Sequence, residues 1–179
     1  MALVVFLKGI NVGGHRTFRP SILAKRLKRF GTINIGATGT FIIPKSVGRV
    51  PLRKAIRRLL PFDVDIVICE GQEILGLASR NPFAGQRSSR HDIVQFVSIQ
   101  AKRQRPRCAP PFTVPTSGRW YVKVFAQYKR FVIGVHRREM RAIEYLGQLE
   151  KLVGGPITTR SWTTILTLAR LLEAQSSDS

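Results

Sequence analysis

Residues 32–43, TINIGATGTFII, indicate how the first part of the chain folds. Isoleucines alternate with Asn34 in the first half of this stretch, and Gly36–Gly39 separates them from a second apolar run. Alternation of apolar and polar residues is typical of a strand, and a short glycine-containing segment between two such runs is typical of a hairpin. The stretch therefore predicts two strands joined by a turn.

This hairpin lies between two helical patterns and two further strands. Ala2–Leu7 is short and rich in Val and Phe, as a buried strand is, and Val64–Cys69 has the same character. Pro20–Phe30 and Val50–Leu60 carry apolar residues at helical spacing. The resulting order, β-α-β-β-α-β, predicts a ferredoxin-like first half.

The rest of the chain predicts a second, divergent α+β half. Ala101–Gly118 contains four prolines and indicates a loop. The other predicted elements are a helix at Glu73–Ser79, a strand at Ile93–Ile99, a hairpin at Trp120–Gln127 and Arg130–His136, and helices at Glu139–Leu152 and Trp162–Leu172. We predict an α+β fold with a ferredoxin-like lobe at residues 1–70, a second α+β lobe packed on it at residues 71–172, and a flexible tail at residues 173–179.

Hydropathy and cysteine content exclude several classes of protein. No apolar run approaches the roughly 18–20 residues that a membrane helix needs. Ala2–Leu7 is too short for the apolar region of a signal peptide, and Lys8 interrupts it. Cys69 and Cys108 are too few for a disulfide framework. These features predict a cytoplasmic protein with no membrane partner.

The net charge is unusually high. The chain has 30 Lys and Arg against 10 Asp and Glu, which gives a net charge of +20. A soluble domain of this size usually carries a net charge of roughly 2–8 in magnitude, because like charges repel in the compact state. A polyanion partner, most simply nucleic acid, explains the excess. A basic surface without such a partner is the alternative interpretation.

The cations cluster on the two helices of the first half and at the start of the proline-rich loop. We therefore predict a nucleic-acid-binding protein of low sequence specificity, with Trp120, Tyr121 and Tyr128 available to contact bases. An interaction module for an acidic protein is a further hypothesis. The predicted nucleic-acid-binding residues are Lys25, Arg26, Lys28, Arg29, Arg53, Lys54, Arg57, Arg58, Lys102, Arg103, Arg105 and Arg107.

A glycine-rich segment, Gly9–Thr17, follows the first predicted strand. Gly9 and Gly14 have the separation found in a phosphate-binding loop, but His15 and Arg16 replace its Lys and its hydroxyl residue. A nucleotide-hydrolysing enzyme is therefore not expected. Exposed backbone amides beside Arg16 still favour an anion. A plain structural turn is the other interpretation.

A second segment, Thr158–Thr164, precedes the last apolar helical run. Ser161 or Thr159 is suited to cap that helix, Trp162 to anchor it, and Arg160 to hold an anion at its N-terminus. We predict that both segments form one anion-binding site, and a phosphate-bearing small molecule bound there, by an enzyme or a binding protein, is the alternative to nucleic acid. The predicted residues are Lys8, Asn11, Gly13, Gly14, Arg16, Thr159, Arg160 and Trp162.

Residues for metal binding or acid–base catalysis are sparse. His15, His91 and His136 are far apart in the sequence, and none has a ligand partner at a standard spacing. The spacing of the residues identifies no nucleophile–base pair. We therefore predict no metal and no cofactor, and the sequence identifies no catalytic residue.

Three segments resemble a bacterial family of unknown function, domain-of-unknown-function family 1697. Phe6–Gly14 is similar to the family's opening segment, Asn81-Pro82-Phe83 to its mid-chain signature, and Thr158–Thr164 to its C-terminal motif. The resemblance implies an α+β fold with ferredoxin-like repeats and no established activity. Ser161 and Thr163 stand where the family usually has Asn, and Ala37–Thr40 departs from a typical Ser-Gly-Asn.

Overall fold

A computed structural model describes residues 1–11, 17–85 and 92–177 of the chain. Helices and antiparallel sheets are both present, which confirms the predicted α+β class. The chain forms two compact units, one of Met1–Ser79 with Leu166–Ser179 and the other of Arg80–Ile165. None of the helices in the described part of the chain is long and apolar enough to cross a membrane.

The first unit contains a four-stranded antiparallel sheet. Residues 1–70 show the predicted succession of strands and helices. In chain order, the elements are β1 (Leu3–Leu7), α1 (Pro20–Arg26) with a 3₁₀ turn at Lys28–Phe30, β2 (Ile33–Ile35), β3 (Thr40–Ile43), α2 (Arg49–Leu59), β4 (Ile66–Glu70) and α3 (Gly71–Ser79). The strands lie in the order β2-β3-β1-β4.

The core of this unit explains why its first strand is apolar at every position. All five residues of β1 are buried, and β1 is a central strand that pairs with β3 on one side and β4 on the other. Leu23 and Leu27 of the α1 region and Leu52 of α2 belong to the core cluster with alternate residues of β1. The helices therefore bury their apolar stripes on one sheet face and leave their cations outward.

The second unit contains a five-stranded antiparallel sheet. The elements are β5 (Ile93–Gln100), β6 (Phe112–Val114), β7 (Val122–Tyr128), β8 (Phe131–Arg137), α4 (Met140–Val153), β9 (Ile157–Ser161) and α5 (Trp162–Ser177). The strands lie in the order β6-β7-β8-β5-β9. Helix α5 begins in this unit, and its residues from Leu166 onward belong to the first unit.

The second sheet repeats the strand order of the first. Strands β7-β8-β5-β9 take the places of β2-β3-β1-β4, and α4 precedes β9 as α2 precedes β4. Between β5 and β7, however, a proline-rich segment with the short strand β6 stands where α1 connects β1 to β2. The second half thus has the strand order of the first, but residues 101–111, here called the basic loop, precede β6 in place of the first helix.

Two strands lie where the sequence predicted none. Pro110, Pro111 and Pro115 suggested a loop throughout Ala101–Gly118, but they flank β6, and an edge strand tolerates nearby proline. Strand β9 covers residues interpreted as the approach to a helix. It forms because β5 has a free edge there, and its five residues pair with Phe96–Gln100.

The structure divides the chain differently from the predicted lobes at residues 1–70 and 71–172. Helix α3 and the later part of α5 belong to the first unit. The reason is close packing: a Cβ atom on Gly71 would lie 3.1 Å from Cδ2 of Leu172. Helix α5 continues to Ser177, into the segment 173–179 that was predicted to be a flexible tail.

Candidate nucleic-acid interface and anion-binding segments

A basic groove, here called the helical groove, lies between α1 and α2 in the first unit. Its volume is about 450 Å³. Lys54 and Arg58 are four residues apart on α2 and therefore project from one side of that helix. The lining residues are Arg26, Leu27, Arg29, Pro51, Lys54, Ala55, Arg58 and Leu59.

The helical groove combines four cations with an apolar floor. Arg26, Arg29, Lys54 and Arg58 are exposed, whereas Leu27 is buried. The described residues that line the groove include no carboxylate. Like charges four residues apart on a helix repel one another. A bound anion would reduce this repulsion.

The other predicted cations of these helices lie away from the groove. Lys25, Lys28 and Arg57 are exposed but are not among its lining residues. Arg53 is half-buried and donates a 2.5 Å hydrogen bond to the carbonyl of Ile66 on the edge strand β4. Burial, and then the charge of Arg57, lowers the pKa of Arg53. The side chain of Arg53 therefore binds the edge strand β4 and is not part of an open basic surface.

The basic loop of the second unit borders a second concavity, here called the basic pocket. Its volume is about 470 Å³. Lys102 and Arg107 are exposed but do not line it. Lys129 was not among the residues predicted from the sequence. It lies in the β7–β8 turn at φ 51° and lines the pocket together with Arg103 and Arg105 of the loop. The lining residues are Arg103, Gln104, Arg105, Pro106, Gln127 and Lys129.

The aromatic side chains predicted to contact bases are covered by neighbouring groups. The guanidinium of Arg80 lies 4.0 Å from the ring centroid of Tyr128. A hydrogen bond from Arg80 is the main reason why the pKa of Tyr128 is lowered. Tyr121 is buried and stacks on Tyr145, and the guanidinium of Arg137 lies 4.5 Å from the ring centroid of Trp120.

The described part of the glycine-rich segment is held by the protein's own atoms. Nζ of Lys8 lies 3.8 Å from the carboxylate of Asp65. The side-chain amide of Asn11 donates to the carbonyls of Phe18 and Ala37 at 2.8 Å, and its oxygen accepts from the backbone N–H of Phe18. The side chain of Asn11 is therefore engaged with Phe18 and Ala37. Gly13, Gly14 and Arg16 lie outside the described residues.

Arg160 and Thr159 lie on β9 rather than at a helix N-terminus. Arg160 is 8% exposed and donates 2.8 Å hydrogen bonds to the hydroxyl of Thr158 and the carbonyl of Thr159. Burial lowers the pKa of Arg160 to about 10. The hydroxyl of Thr159 lies 2.6 Å from that of Ser98 across the β5–β9 pair. Both side chains are thus engaged within the sheet.

The C-terminal motif also begins α5. The hydroxyl of Ser161 accepts a 3.3 Å hydrogen bond from the backbone N–H of Thr164, which is the predicted helix cap. Trp162 is 6% exposed, and its ring centroid lies 5.2 Å from that of Phe83. The segments Asn81-Pro82-Phe83 and Thr158–Thr164 therefore meet in the interior of the second unit. That the two anion-binding segments form one site stays a prediction.

His136 is the one histidine within the described residues, and its side chain is half-buried. Its ring packs 5.8 Å from that of Phe96, and Nδ1 lies 2.8 Å from the carbonyl of Arg137. Burial lowers its pKa below 6.5, and the hydrogen bond to Arg137 opposes that shift only in part. Within residues 1–11, 17–85 and 92–177, no three His, Cys, Asp or Glu side chains gather to hold a metal ion.

The lowered pKa of His136 predicts acid sensitivity. The unfolded chain binds more protons than the folded chain, so the free energy of unfolding should fall as the pH falls through 6.5. We expect His136→Gln to lose less stability than the wild type between pH 7.5 and 5.5, as measured by denaturant unfolding. Equal losses in the two proteins would contradict this role of His136.

Comparisons with known proteins give a family and a fold. The family model described as "Protein of unknown function (DUF1697)" matches residues 1–111. The solved structure of conserved bacterial protein SP0830 from Streptococcus pneumoniae is similar, with a TM-score of 0.60 and 12% identity over 96% of this chain and 98% of that one. At this identity the similarity concerns the fold alone. No curated protein matches the chain.

Proposed function

The chain belongs to the family described as "Protein of unknown function (DUF1697)", whose description names no activity, and we propose that it binds nucleic acid with low sequence specificity through the helical groove. The observation that carries this proposal is the convergence of Arg26, Arg29, Lys54 and Arg58 on one groove. A cytoplasmic location, where nucleic acids are accessible, is part of the proposal.

The electrostatics of the groove favour a polyanion over a small ligand. A cleft lined by charges of one sign above apolar walls concentrates the electric field and attracts counterions. A chain of phosphates can meet four cations at once and releases condensed counterions as it binds. The net charge of +20 adds long-range attraction of the same sign.

The residue types on the two helices support low specificity. Asn and Gln read adenine, and Asp and Glu read cytosine, through hydrogen bonds to base edges. Pro20–Phe30 and Arg49–Leu59 contain none of these four residue types. Lys and Arg can read guanine, but their contacts to phosphates do not depend on sequence. Without Asn, Gln, Asp or Glu, the two helices therefore position a nucleic acid and discriminate little among the other bases.

A salt titration tests the proposal. If about five phosphates are neutralised, log K should fall with log salt at a slope of roughly −4 to −5, a loss of several hundred-fold between about 50 and 200 mM salt. We expect duplex and single-stranded DNA and RNA of unrelated sequences to bind with similar affinities. Fluorescence anisotropy with labelled oligonucleotides measures both quantities.

Two outcomes would count against nucleic acid as the partner. No detectable binding at about 50 mM salt would overturn the proposal, because charge attraction is strongest there. Polyglutamate competing as well as an oligonucleotide of the same charge would indicate an acidic protein partner instead. Preference for the oligonucleotide supports recognition of phosphate.

A further inference from the structure

We propose that the basic pocket of the second unit binds the dianion of a phosphate monoester. The pocket is a discrete concavity on the Arg80–Ile165 unit, and its residues are distinct from those of the helical groove. The inference therefore stands whether or not the groove binds nucleic acid. The ligand class includes inorganic phosphate, a phosphorylated small molecule and the terminal phosphate of an oligonucleotide.

Three cations from two separate chain segments converge on this pocket. Arg103 and Arg105 come from the loop after β5, and Lys129 comes from the turn between β7 and β8. All three are exposed, and the described residues lining the pocket include no carboxylate to pair with them. Two guanidinium groups and one ammonium group provide N–H donors, from which the oxygens of a tetrahedral oxyanion can accept hydrogen bonds.

The side-chain amide of Gln127, one of the residues lining the pocket, is fixed by hydrogen bonds. The side-chain nitrogen of Gln127 lies 3.1 Å from Oε1 of Gln100, 3.2 Å from the carbonyl of Gln104 and 3.3 Å from the carbonyl of Lys129. It thereby joins the basic loop to the turn that carries Lys129. Gln100 is buried and donates in turn to the carbonyl of Val153 at 2.8 Å.

Arg130 reinforces the same junction. It is 7% exposed, donates a 2.7 Å hydrogen bond to the carbonyl of Gln100, and also donates to the carbonyl of Ala101. The first residues of the basic loop are thus held against the start of β8. A loop anchored in this way loses less conformational freedom when its cations bind a ligand.

The far end of the basic loop is anchored to the end of α4. The backbone N–H groups of Arg107 and Cys108 donate to the carbonyl of Leu152 at 2.8 and 3.2 Å. Gly154 ends α4 at φ 90°, and a Cβ atom there would lie 2.9 Å from the carbonyl oxygen of Arg105. Only glycine fits this approach, which sets the position of the segment carrying Arg103 and Arg105.

The charge of the pocket selects a monoester over a diester. A phosphate monoester carries about −1.5 to −2 charges at pH 7 and three terminal oxygens, whereas each internal phosphodiester of a nucleic acid carries one negative charge. Three converging cations without a carboxylate match the dianion better. The volume of about 470 Å³ also lies within the range of small-molecule sites, roughly 300–1,000 Å³.

Calorimetric titration of the full chain with phenyl phosphate and with dimethyl phosphate tests this inference. We expect phenyl phosphate to bind at least about ten-fold more tightly in 150 mM salt, an amount equivalent to one strong charged contact. The triple variant Arg103→Gln/Arg105→Gln/Lys129→Gln should lose at least about ten-fold in that affinity. Equal binding of the two probes by the wild type would overturn the proposal.

A matched variant controls for net charge. Lys123→Gln/Arg138→Gln/Lys151→Gln removes three exposed cations of the same unit that do not line the pocket. We expect it to keep the affinity for phenyl phosphate within about two-fold, since these cations do not line the pocket and charges without direct contact are screened at this salt. Equal losses in both triple variants would show a general charge effect and overturn the pocket. Thermal unfolding confirms that both variants fold.

Two further titrations identify the source of the phosphate and separate this site from the groove. Tighter binding of a 5′-phosphorylated oligonucleotide than of its 5′-hydroxyl counterpart, lost in the pocket variant, assigns the pocket to a nucleic-acid end. Binding of phenyl phosphate without that preference assigns it to a free phosphorylated molecule. A variant of the groove cations Arg26, Arg29, Lys54 and Arg58 should still bind phenyl phosphate, and failure to do so would contradict two independent sites.

Discussion

Replacing the four cations of the helical groove should abolish most of the binding of nucleic acid. In Arg26→Gln/Arg29→Gln/Lys54→Gln/Arg58→Gln we expect the slope of log K against log salt to become shallower by about 3–4, because each lost phosphate contact removes roughly 0.9. At about 50 mM salt this corresponds to a loss of at least roughly one hundred-fold in affinity. Anisotropy titrations at several salt concentrations measure both effects.

A second quadruple variant distinguishes the groove from the total charge. Lys45→Gln/Arg138→Gln/Lys151→Gln/Arg170→Gln removes four exposed cations that do not line the groove, so both variants carry a net charge of +16, that is, 20 minus 4. We expect this control to change the slope by less than about one. Equal changes in the two variants would mean that the whole surface, and not the groove, binds the polyanion.

Gly134→Ala should strongly destabilise the second unit. Gly134 lies on β8 opposite Val124, beside the irregularity in the β7–β8 pairing. A Cβ atom there would lie 2.2 Å from the carbonyl oxygen of Lys123 and 3.0 Å from Cζ of Phe96. Because backbone and a buried ring must both move, we expect the free energy of unfolding to fall by about 3 kcal/mol. Denaturant unfolding measures it.

Gly147→Ala is the matched control for this substitution. Gly147 is exposed within α4, and no atom lies within 4 Å of the position that its Cβ atom would take. Alanine is the better helix former, so we expect the free energy of unfolding to rise by roughly 0.5–1 kcal/mol. A similar loss in both variants would refute close packing as the reason for Gly134.

Local sequence patterns predicted the first half because its elements follow from short-range chemistry. The apolar stripe of α2 and the glycine-containing turn before β3 depend on neighbouring residues only. Strand β9 was missed for the opposite reason: Thr159 and Ser161 also fit a helix cap, and only the free edge of β5 decides between the two structures. The position of α5 depends on Leu172 meeting Gly71, about a hundred residues away in the sequence.

The candidate sites also contain residues that the sequence predicted and residues that it could not place. Arg26 and Arg29, like Lys54 and Arg58, are visible in the sequence as cations on helices, and the helical groove combines these two predicted clusters. The sequence could not place Lys129 beside the basic loop, because its position there depends on how β7 and β8 pair. Arg160 could not be recognised as buried, since residues before an apolar helix usually face solvent when no strand forms.

The passage of α5 from one unit to the other determines the order in which the chain can be completed during synthesis. Residues 80–165 form a contiguous unit, whereas the first unit requires residues from Leu166 onward. All of the second unit is therefore synthesised before Leu168 and Leu172, which are buried residues of the first unit. Domains generally fold from the N-terminus as the chain emerges. Here the first unit is complete only after the last helix has been synthesised, and a chain truncated at residue 80 would lack that helix.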